Sequence, residues 1–324
     1  MEGEKMKRLY VGVDLGGTNV ASALIDEDGN VLARDKRPTL ADQPEGVTVR
    51  QIIDGITEAA RKGGVSVGDL AAIGIGAPGP LDPFEGVVLA PVNLPNWGKV
   101  PLKRIVDTKM GVPVVVDNDA NVVAVGEQWK GAGREVNDFL CVTLGTGIGG
   151  GAICGGKLLH GFNGNAAEIG HITIDYNGPR CNCGNYGCLE LYASANAMVR
   201  RALERIKKES PKTILPRSGK LTSQMIFEAA KNGDRFAIEM FEETGFFLGV
   251  GLVSAINLLN VEMVAITGGL ANAGDLIFGP VRRTVLERGF PEVKEKVRII
   301  PTQLGEDAAL IGAARLAMEG GVRS

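Results

Sequence analysis

The sequence predicts an α/β protein of two domains, each built around a β-sheet. Its 324 residues suffice for about two domains of ~150 residues each. Short Val/Ile/Leu runs alternate with segments of helical spacing, which favours mixed α/β structure. A pattern of strand, Gly-rich turn, strand, Gly turn and strand occurs at 9–33 and again at 139–159. This recurrence indicates an internal duplication.

The first half of the chain is predicted to consist of strands separated by helices. The β-rich run Leu9–Asp14 is broken by Gly16-Gly17, and the following runs at 20–25 and 31–33 are joined by a turn at Asp28-Gly29-Asn30. Further along, the patterns predict a helix at 47–61, a strand at 71–77, a helix at 102–110, a strand at 113–117 and a helix through Trp129 that Asn118–Asn121 can cap.

The second half opens with a strand and becomes mainly helical. The strand at 139–144 is followed by a glycine run, Gly145–Gly151, which is interpreted as a single turn before a strand at 152–154. The remaining predicted elements are helices at 193–209, 222–232, 235–260, 275–288 and 307–318 and strands at 262–266 and 297–300.

Composition excludes several protein classes. The net charge is −3 and no basic block occurs, so we expect no nucleic-acid partner. Glycine accounts for 46 of the residues, about twice the average, without a collagen period. The excess therefore needs local explanations, such as tight turns or close backbone approaches.

The sequence predicts a cytoplasmic protein. Eight residues precede the first strand, and no apolar run of signal-peptide length follows them. The longest apolar stretch, at 246–259, is too short for a membrane span and contains Gly, Ser and Asn. In the cytoplasm thiols stay reduced, so clustered cysteines bind metal more often than they form disulfides.

Three cysteines and a histidine form such a cluster. His171, Cys181, Cys183 and Cys188 offer four ligands within 18 residues, a common set for tetrahedral Zn²⁺. Because all four positions would be protein ligands, we expect the zinc to be structural. The two other cysteines, Cys141 and Cys154, are predicted to be small core residues.

Two glycine-rich turns are predicted to contact phosphate. In Asp14-Leu-Gly-Gly-Thr-Asn19 the glycines let backbone N–H groups approach phosphate oxygens, and Asp14 can hold Mg²⁺. A plain hairpin turn is the alternative for either site alone. The second turn, in Thr143–Gly150, and the Gly268-Gly269 pair after a buried strand favour the phosphate interpretation.

These turns resemble the two phosphate motifs and the adenosine motif of the superfamily of actin, heat-shock chaperone ATPases and sugar kinases. The resemblance implies two ribonuclease-H-like domains with ATP and Mg²⁺ in a cleft between them, whose opening and closing is the expected motion. The implied ATP-binding residues are Asp14, Gly16, Gly17, Thr18, Asn19, Thr146, Gly147, Gly268 and Gly269.

More specific motifs resemble the ROK family (repressors, open reading frames, kinases). Glu168-Ile-Gly-His171 and the segment Cys181–Glu190 match its Glu-x-Gly-His and Cys-x-Cys-Gly-x-x-Gly-Cys-x-Glu motifs. Segments 93–97, 118–121 and 306–313 extend the resemblance over nearly the whole chain.

The family resemblance implies a sugar site. Asp119 is then the general base that takes the proton of the sugar hydroxyl. The implied sugar-binding residues are Asn118, Asp119, Glu168, His171 and Glu190, with Gly79 and Asn93 on the opposite wall. His171 would serve both zinc and sugar through its two ring nitrogens. Alternative structural roles are a helix cap for Asp119, a surface carboxylate for Glu168 and a helix-terminal charge for Glu190; Glu127 and Asp117 are left as structural.

The segment Cys188–Ser194 most resembles the glucokinase branch, which implies phosphorylation of D-glucose by ATP. Fructokinase, N-acetylglucosamine kinase or N-acetylmannosamine kinase activity, a non-catalytic sugar sensor, and polyphosphate or ADP as donor stay open. A sugar-responsive repressor is disfavoured because no room for a winged helix precedes the first strand. We expect glucose and ATP as ligands, no membrane partner, and a homo-oligomer, dimer or tetramer.

The repeat places the domain boundaries. We expect a smaller N-terminal α/β domain of residues 1–117 plus 307–324. Residues 118–306 would form a larger α/β domain with the zinc loop and helices of the kind that form dimers.

Overall fold

The structure is a computed structural model that describes residues 7–91, 93–217 and 219–320. The sequence predicts no export signal at the start of the chain. Residues 1–6, which make up most of that segment, lie outside the described residues. The strands are β1 Leu9–Leu15, β2 Asn19–Asp26, β3 Val31–Pro38, β4 Leu70–Ala77, β5 Leu81–Asp82, β6 Val87–Leu89, β7 Lys99–Val100, β8 Val114–Asn118, β9 Phe139–Leu144, β10 Ile148–Cys154, β11 Lys157–Leu158, β12 Met263–Thr267 and β13 Arg298–Pro301.

The α-helices are α1 Glu45–Lys62, α2 Leu102–Met110, α3 Asp119–Lys130, α4 Glu190–Ala193, α5 Ala195–Glu209, α6 Ser223–Lys231, α7 Arg235–Leu259, α8 Asp275–Arg288, α9 Pro291–Lys294 and α10 Asp307–Met318. Short 3-10 helices lie at Val67–Asp69, Ile169–His171 and Ala271–Ala273. The predicted helices and longer strands are confirmed, with end shifts of a few residues. The largest shift between a predicted and an observed end is in β3, which was predicted to end at residue 33 and continues to Pro38.

The two main sheets share one topology. The first has the order β3-β2-β1-β4-β8, and the second has the order β11-β10-β9-β12-β13. In the first, β1 pairs antiparallel with β2 and parallel with β4, which in turn pairs parallel with β8. Both sheets thus place their five strands in the order third, second, first, fourth, fifth. The predicted duplication and α/β fold class are confirmed.

The N-terminal sheet is covered on one face by α1 and on the other by α10. Buried Ile52 and Ile56 of α1 join the core formed by Val11, Val13 and Ile73 of the strands. On the α10 face, a Cβ at Gly12 would lie 1.9 Å from the carbonyl oxygen of Leu310, and one at Gly74 would lie 1.8 Å from that of Ala313. Only glycine permits this approach of helix backbone to strand backbone.

The glycine run at 145–151 divides between a turn and a strand, which corrects the expectation of one long turn. The strand β10 begins at Ile148, and only Gly145–Gly147 form the turn. A Cβ at Gly150 would lie 2.6 Å from the carbonyl oxygen of Ala167, and one at Gly151 would lie 2.7 Å from that of Ala120. The later glycines therefore serve close packing of the strand.

A small antiparallel sheet, β5-β6-β7, was not predicted from the sequence. Its strands are only two or three residues long and lie among Pro and Gly residues, so they show no alternation that could have indicated them.

The chain divides into two compact units. The first comprises the chain up to Glu135, Gly151–Ala166 and the chain from Gln303, and the second comprises Val136–Gly150 and Ala167–Thr302. Helix α3 and the segment 151–166 thus belong to the unit with the first sheet. The predicted domain limits at 117/118 and 306/307 stay a prediction.

Glycines also set the packing of the helical part of the second unit. A Cβ at Gly245 of α7 would lie 2.5 Å from Cγ of Pro280 in α8, and one at Gly249 would lie 2.5 Å from Cβ of Thr284. Among the helices of the described residues, none has the length and apolarity required to span a membrane.

Candidate functional site

In the first unit, the predicted site residues lie around the carboxyl ends of three parallel strands. Asp14 of β1 is in register with Gly76 of β4, and Gly76 is in register with Asp117 of β8. Asn118 and Asp119 follow directly, at the end of β8 and the start of α3. Ligands of open α/β sheets bind outside such carboxyl ends.

The turn between β1 and β2 presents its backbone to solvent. The Gly16 N–H donates to the Asn19 carbonyl at 3.0 Å, and Gly17, Thr18 and Asn19 are exposed. The Thr39 hydroxyl donates to the Gly16 carbonyl at 2.6 Å and anchors the turn from β3's end. Exposed N–H groups in an anchored glycine turn suit the predicted phosphate contact.

Burial at the end of β1 raises the pKa of the Asp14 carboxyl to about 6. The positive charge of Lys36 opposes this rise in pKa, and the negative charge of Glu306 adds to it. A nearby cation would stabilise the ionised form of such a carboxylate, which fits the expectation that Asp14 holds Mg²⁺.

The start of α3 holds the predicted base. The Asn118 side chain accepts the Ala120 N–H at 2.9 Å and is the helix cap, so the predicted cap within 118–121 is confirmed. Asp119 is the first residue of the helix, and its Oδ1 lies 2.8 Å from the same N–H.

The predicted opposite wall lies beside these groups within the first unit. A Cβ at Gly79 would lie 3.1 Å from Nδ2 of Asn118. One at Gly17 would lie 3.3 Å from Cβ of Asn93, so Asn93 adjoins the phosphate turn.

In the second unit, the other candidate phosphate turn lies close to two further predicted site residues, Glu190 and Gly268. A Cβ at Gly147 would lie 3.0 Å from Oε2 of Glu190. Gly268, at a φ of +100°, would place a Cβ 2.4 Å from the carbonyl oxygen of Leu144. Thr146 and Gly269 are exposed. The turn, the predicted adenosine motif and a predicted sugar carboxylate are therefore neighbours at the carboxyl ends of β9 and β12.

The predicted zinc ligands converge. One ligand atom from each of His171, Cys181, Cys183 and Cys188 lies within 4.8 Å of the others. Sγ of Cys181 lies 3.8 Å from Nδ1 of His171, and Sγ of Cys183 lies 3.6 Å from Sγ of Cys188. With Zn–S bonds of about 2.3 Å, the edges of a tetrahedral ligand set are about 3.8 Å. The donor set and its spacing fit Zn²⁺.

The cluster of candidate zinc ligands also contacts Glu190. The Cys181 thiol donates to Oε1 of Glu190 at 3.2 Å, and Nδ1 of His171 lies 3.6 Å from the same oxygen. Burial raises the pKa of the Cys181 thiol to about 12, and a bound Zn²⁺ is what would convert it to the thiolate. Because Nδ1 faces the cysteines, Nε2 of His171 is the nitrogen left for another partner.

Glu168 precedes this cluster. It is exposed, and its carbonyl accepts the His171 N–H at 3.0 Å across the short helix Ile169–His171. The predicted site residues thus form one group in each unit: Asp14, the first turn, Gly79, Asn93, Asn118 and Asp119 in the first, and the second turn, Gly268, Gly269, Glu168, His171, Glu190 and the cysteines in the second.

The sequence predicts no role for His160 and structural roles for Asp117 and Glu127. Glu127 is fully buried and accepts backbone N–H groups of Ala132, Gln303 and Leu304, so its structural role is confirmed. His160, in contrast, lies 2.6 Å from Asp117. The two are 43 positions apart, so no local pattern could have connected them.

Comparison with known proteins places the chain among sugar-handling proteins. The family model described as "ROK family" matches residues 10–319. A glucokinase of Thermotoga maritima is 39% identical over 317 residues, which cover 97% of this chain and 98% of that protein. A xylose repressor of Bacillus subtilis is 31% identical over 309 residues, which cover 95% of this chain and 77% of the repressor.

A solved structure of the same family also resembles this chain. The crystal structure of a ROK family glucokinase from Streptomyces griseus, in complex with glucose and AMPPNP, is 37% identical and matches with a TM-score of 0.81, covering 96% of this chain and 99% of that one. The family match, the relatives and the two sheets of common topology together establish that this chain belongs to the ROK family.

Proposed function

We propose that this protein is an ATP-dependent glucokinase that converts D-glucose and ATP to glucose 6-phosphate and ADP. The observation that carries the proposal is the 39% identity to a glucokinase along 98% of that protein's length. The kinase interpretation is further supported by Asp119 and both glycine turns, because a non-catalytic sugar sensor needs neither a base nor phosphate contacts.

Asp119 is proposed as the general base. Its carboxylate stands at the first position of α3, beside the carboxyl ends of the first sheet. It takes the proton of the glucose 6-hydroxyl as the new O–P bond forms to the γ-phosphoryl group and the bond to ADP breaks. A half-buried carboxylate at the start of a helix can exchange this proton with water after product release.

The proposed phosphate contacts are the backbone N–H groups of Gly17, Thr146 and Gly147, with the hydroxyl of Thr18 and the side chain of Asn19 nearby. Gly16, whose N–H donates to the Asn19 carbonyl, is proposed to shape the turn around the phosphate. Gly268 and Gly269 are proposed to adjoin the adenosine. Asp14 would hold Mg²⁺ directly or through water, and the ion, when bound with ATP, neutralises charge on the phosphates.

The proposed sugar contacts are hydrogen bonds to the glucose hydroxyls. Carboxylates can accept from two hydroxyls each, so Glu168 and Glu190 suit a polyol. Asn118 and Nε2 of His171 complete the set, and Gly79 and Asn93, which lie beside Asn118 and the first glycine turn, are proposed to line the sugar site as well. Zn²⁺, when bound by His171 and the three cysteines, would orient the imidazole for this contact.

A hexose panel tests the activity. Glucose, fructose, mannose, N-acetylglucosamine and N-acetylmannosamine are offered with ATP and Mg²⁺, and ADP release is measured. We expect the highest kcat/KM with glucose. A preference for another sugar would reassign the substrate, and no turnover with any of them, or with polyphosphate or ADP as donor, would contradict the kinase proposal.

The role of Asp119 is tested by Asp119→Asn. We expect kcat to fall by ~10²–10⁴ because the proton of the attacking hydroxyl loses its acceptor. The matched control is Asp107→Asn, an exposed aspartate of α2, which should keep wild-type kcat. Near-wild-type turnover of Asp119→Asn, with an intact fold by circular dichroism, would remove Asp119 from the role of base.

A further inference from the structure

A buried carboxylate precedes the proposed base by two positions. Asp117 is the last residue but one of β8, and its side chain is 1% exposed. Its Oδ1 accepts the Asn118 N–H at 2.7 Å and the Asn121 side-chain amide at 2.8 Å. Both donors belong to the junction between β8 and α3, where Asp119 lies.

The third partner of Asp117 comes from a distant segment. Nε2 of His160 lies 2.6 Å from Oδ2 of Asp117, and the His160 side chain is 13% exposed. Because an ionised carboxylate only accepts, Nε2 must carry the hydrogen. Charge-assisted hydrogen bonds of this kind are shorter and stronger than those between neutral groups.

The segment that carries His160 packs closely within the first unit. A Cβ at Gly151 would lie 2.7 Å from the carbonyl oxygen of Ala120 in the first turn of α3. The His160 ring lies 6.3 Å from the ring of Phe84, centroid to centroid, and a Cβ at Gly164 would lie 2.2 Å from Cδ of Pro83. The segment is therefore anchored on both sides of His160, and the imidazole itself lies beside Phe84 and Asp117.

We propose that His160 is a positioning residue for the phosphoryl-transfer reaction: through Asp117 it fixes the β8–α3 junction and thereby the carboxylate of Asp119. This inference rests on the proposed role of Asp119 as base. His160 itself contacts Asp117, and nothing in the proposal requires it to touch a substrate.

The physical reason is the geometry of proton transfer. A base must lie within hydrogen-bond reach of the hydroxyl that it deprotonates, and a misplacement of about 1 Å can cost about 100-fold in rate. Without His160, Oδ2 of Asp117 would be a buried charge lacking one donor. The carboxylate would then turn to find another donor, and the Asn118 and Asn121 bonds that define the start of α3 would change with it.

The test compares His160→Leu with His160→Gln. Leucine fills a similar volume without a donor, whereas the glutamine amide can donate to Asp117. We expect His160→Leu to lower kcat at least tenfold, with the KM for glucose changed less than threefold, and His160→Gln to stay within threefold of wild-type kcat. Calorimetric titration with glucose should count the same number of sugar sites per chain in both, which separates misplacement of the base from loss of folded protein.

Lys157→Ala, at an exposed position of β11 three residues before His160, is the matched control and should leave kcat unchanged. If His160→Leu does not fold, Asp117→Asn serves instead, with the same expected loss of kcat. Wild-type kcat in His160→Leu or in Asp117→Asn, or an equal fall in His160→Gln and His160→Leu, would overturn the inference.

Asp119→Asn is measured in parallel. If it is inactive while His160→Leu has wild-type kcat, the positioning role fails and the proposed function stands. If Asp119→Asn has wild-type kcat, the proposed base fails, and the positioning role fails with it.

Discussion

Asp14 shows at the scale of one residue how a site can oppose the stability of its own fold. Burial raises the pKa of this carboxyl from its ordinary value of 3.8 to about 6. The folded protein therefore binds this proton more tightly than the unfolded chain does. The stabilisation from the bound proton is complete below the unfolded pKa and is lost as the pH rises through the folded pKa.

Asp14→Asn should therefore stabilise the protein at neutral pH while impairing phosphoryl transfer. Without nucleotide or divalent cation, we expect a gain of roughly 1–3 kcal/mol at pH 7.5, which shrinks as the pH falls from about 6 toward 4. Urea unfolding at pH 7.5 and at about pH 4 measures this difference in stability, with Asp107→Asn as the control. A variant less stable than wild type at pH 7.5 would contradict the argument.

The His160–Asp117 pair belongs to the same scale. Only two histidines occur in the chain, and the sequence motifs drew attention to one of them, His171. The other histidine, His160, contacts Asp117, 43 positions away. This contact forms only when β8 and the segment after β11 have folded against each other, so the sequence does not indicate it.

At the scale of elements, the segment 171–188, which carries the four candidate zinc ligands, contains little regular structure. Isolated β-bridges join Thr173 to Cys188 and Arg180 to Tyr186, and Tyr186 is exposed. Backbone hydrogen bonds such as those from Cys181 N–H to Asn185 and from Ile174 N–H to Gly187 order the segment, and a metal ion held by the four converging ligands would add to them. Its four ligands were predictable because they all lie within one short stretch of sequence.

Cys183→Ala tests the metal site. We expect about one Zn²⁺ per chain in the wild-type protein by elemental analysis and substoichiometric Zn²⁺ in the variant. The Tm should fall by several degrees, since each kcal/mol lost lowers it by roughly 2–4 °C. Cys154→Ala, outside the cluster, should retain the metal. Wild-type protein without zinc, or a variant with unchanged Tm, would argue against the structural zinc.

At the scale of the whole molecule, one helix from the C-terminal part of the chain completes the N-terminal sheet. The carbonyl groups of α10 lie against Gly12 and Gly74, and Arg34 of β3 binds Asp307 through two hydrogen bonds of 3.1 and 2.8 Å. The partners of that ion pair are 273 positions apart.

Gly74→Ala tests this closure. Its Cβ would meet backbone, which cannot move aside as a flexible side chain can, so we expect a loss of about 3 kcal/mol of unfolding free energy, at the upper end of the usual cost of overpacking. The lower urea midpoint should come without a change in slope. Gly98→Ala, where nothing lies within 4 Å of the added Cβ, is the control and should change stability little. Equal stabilities of the two variants would contradict the packing account.

The sequence predicted the large elements because their signals are local. Buried strands such as β4 and β8 are apolar runs bounded by Gly, Pro or Asp, and α7 is a long helix capped by Asp234. The recurrence of one strand pattern was enough to predict two sheets of the same kind. The candidate phosphate turns and zinc ligands were equally local.

Nonlocal packing accounts for what could not be predicted. Gly149–Gly151 have the composition of a turn, but close backbone neighbours draw Gly150 and Gly151 into β10. Likewise, neither the fully buried Glu127 nor the Asp117–His160 pair shows any sign in sequence of its partners, because those partners come from other parts of the chain.

The position of α10 also bears on biosynthesis. The chain is made from its N-terminus, so β1 and β4 emerge long before α10, the helix that covers Gly12 and Gly74. The face of the sheet that α10 covers is therefore exposed in the meantime. Until then the nascent sheet offers a glycine-lined surface to chaperones or to unwanted strand pairing. Emergence of α10 from the ribosome, more than synthesis of any earlier segment, therefore sets the moment at which this half of the enzyme can become native.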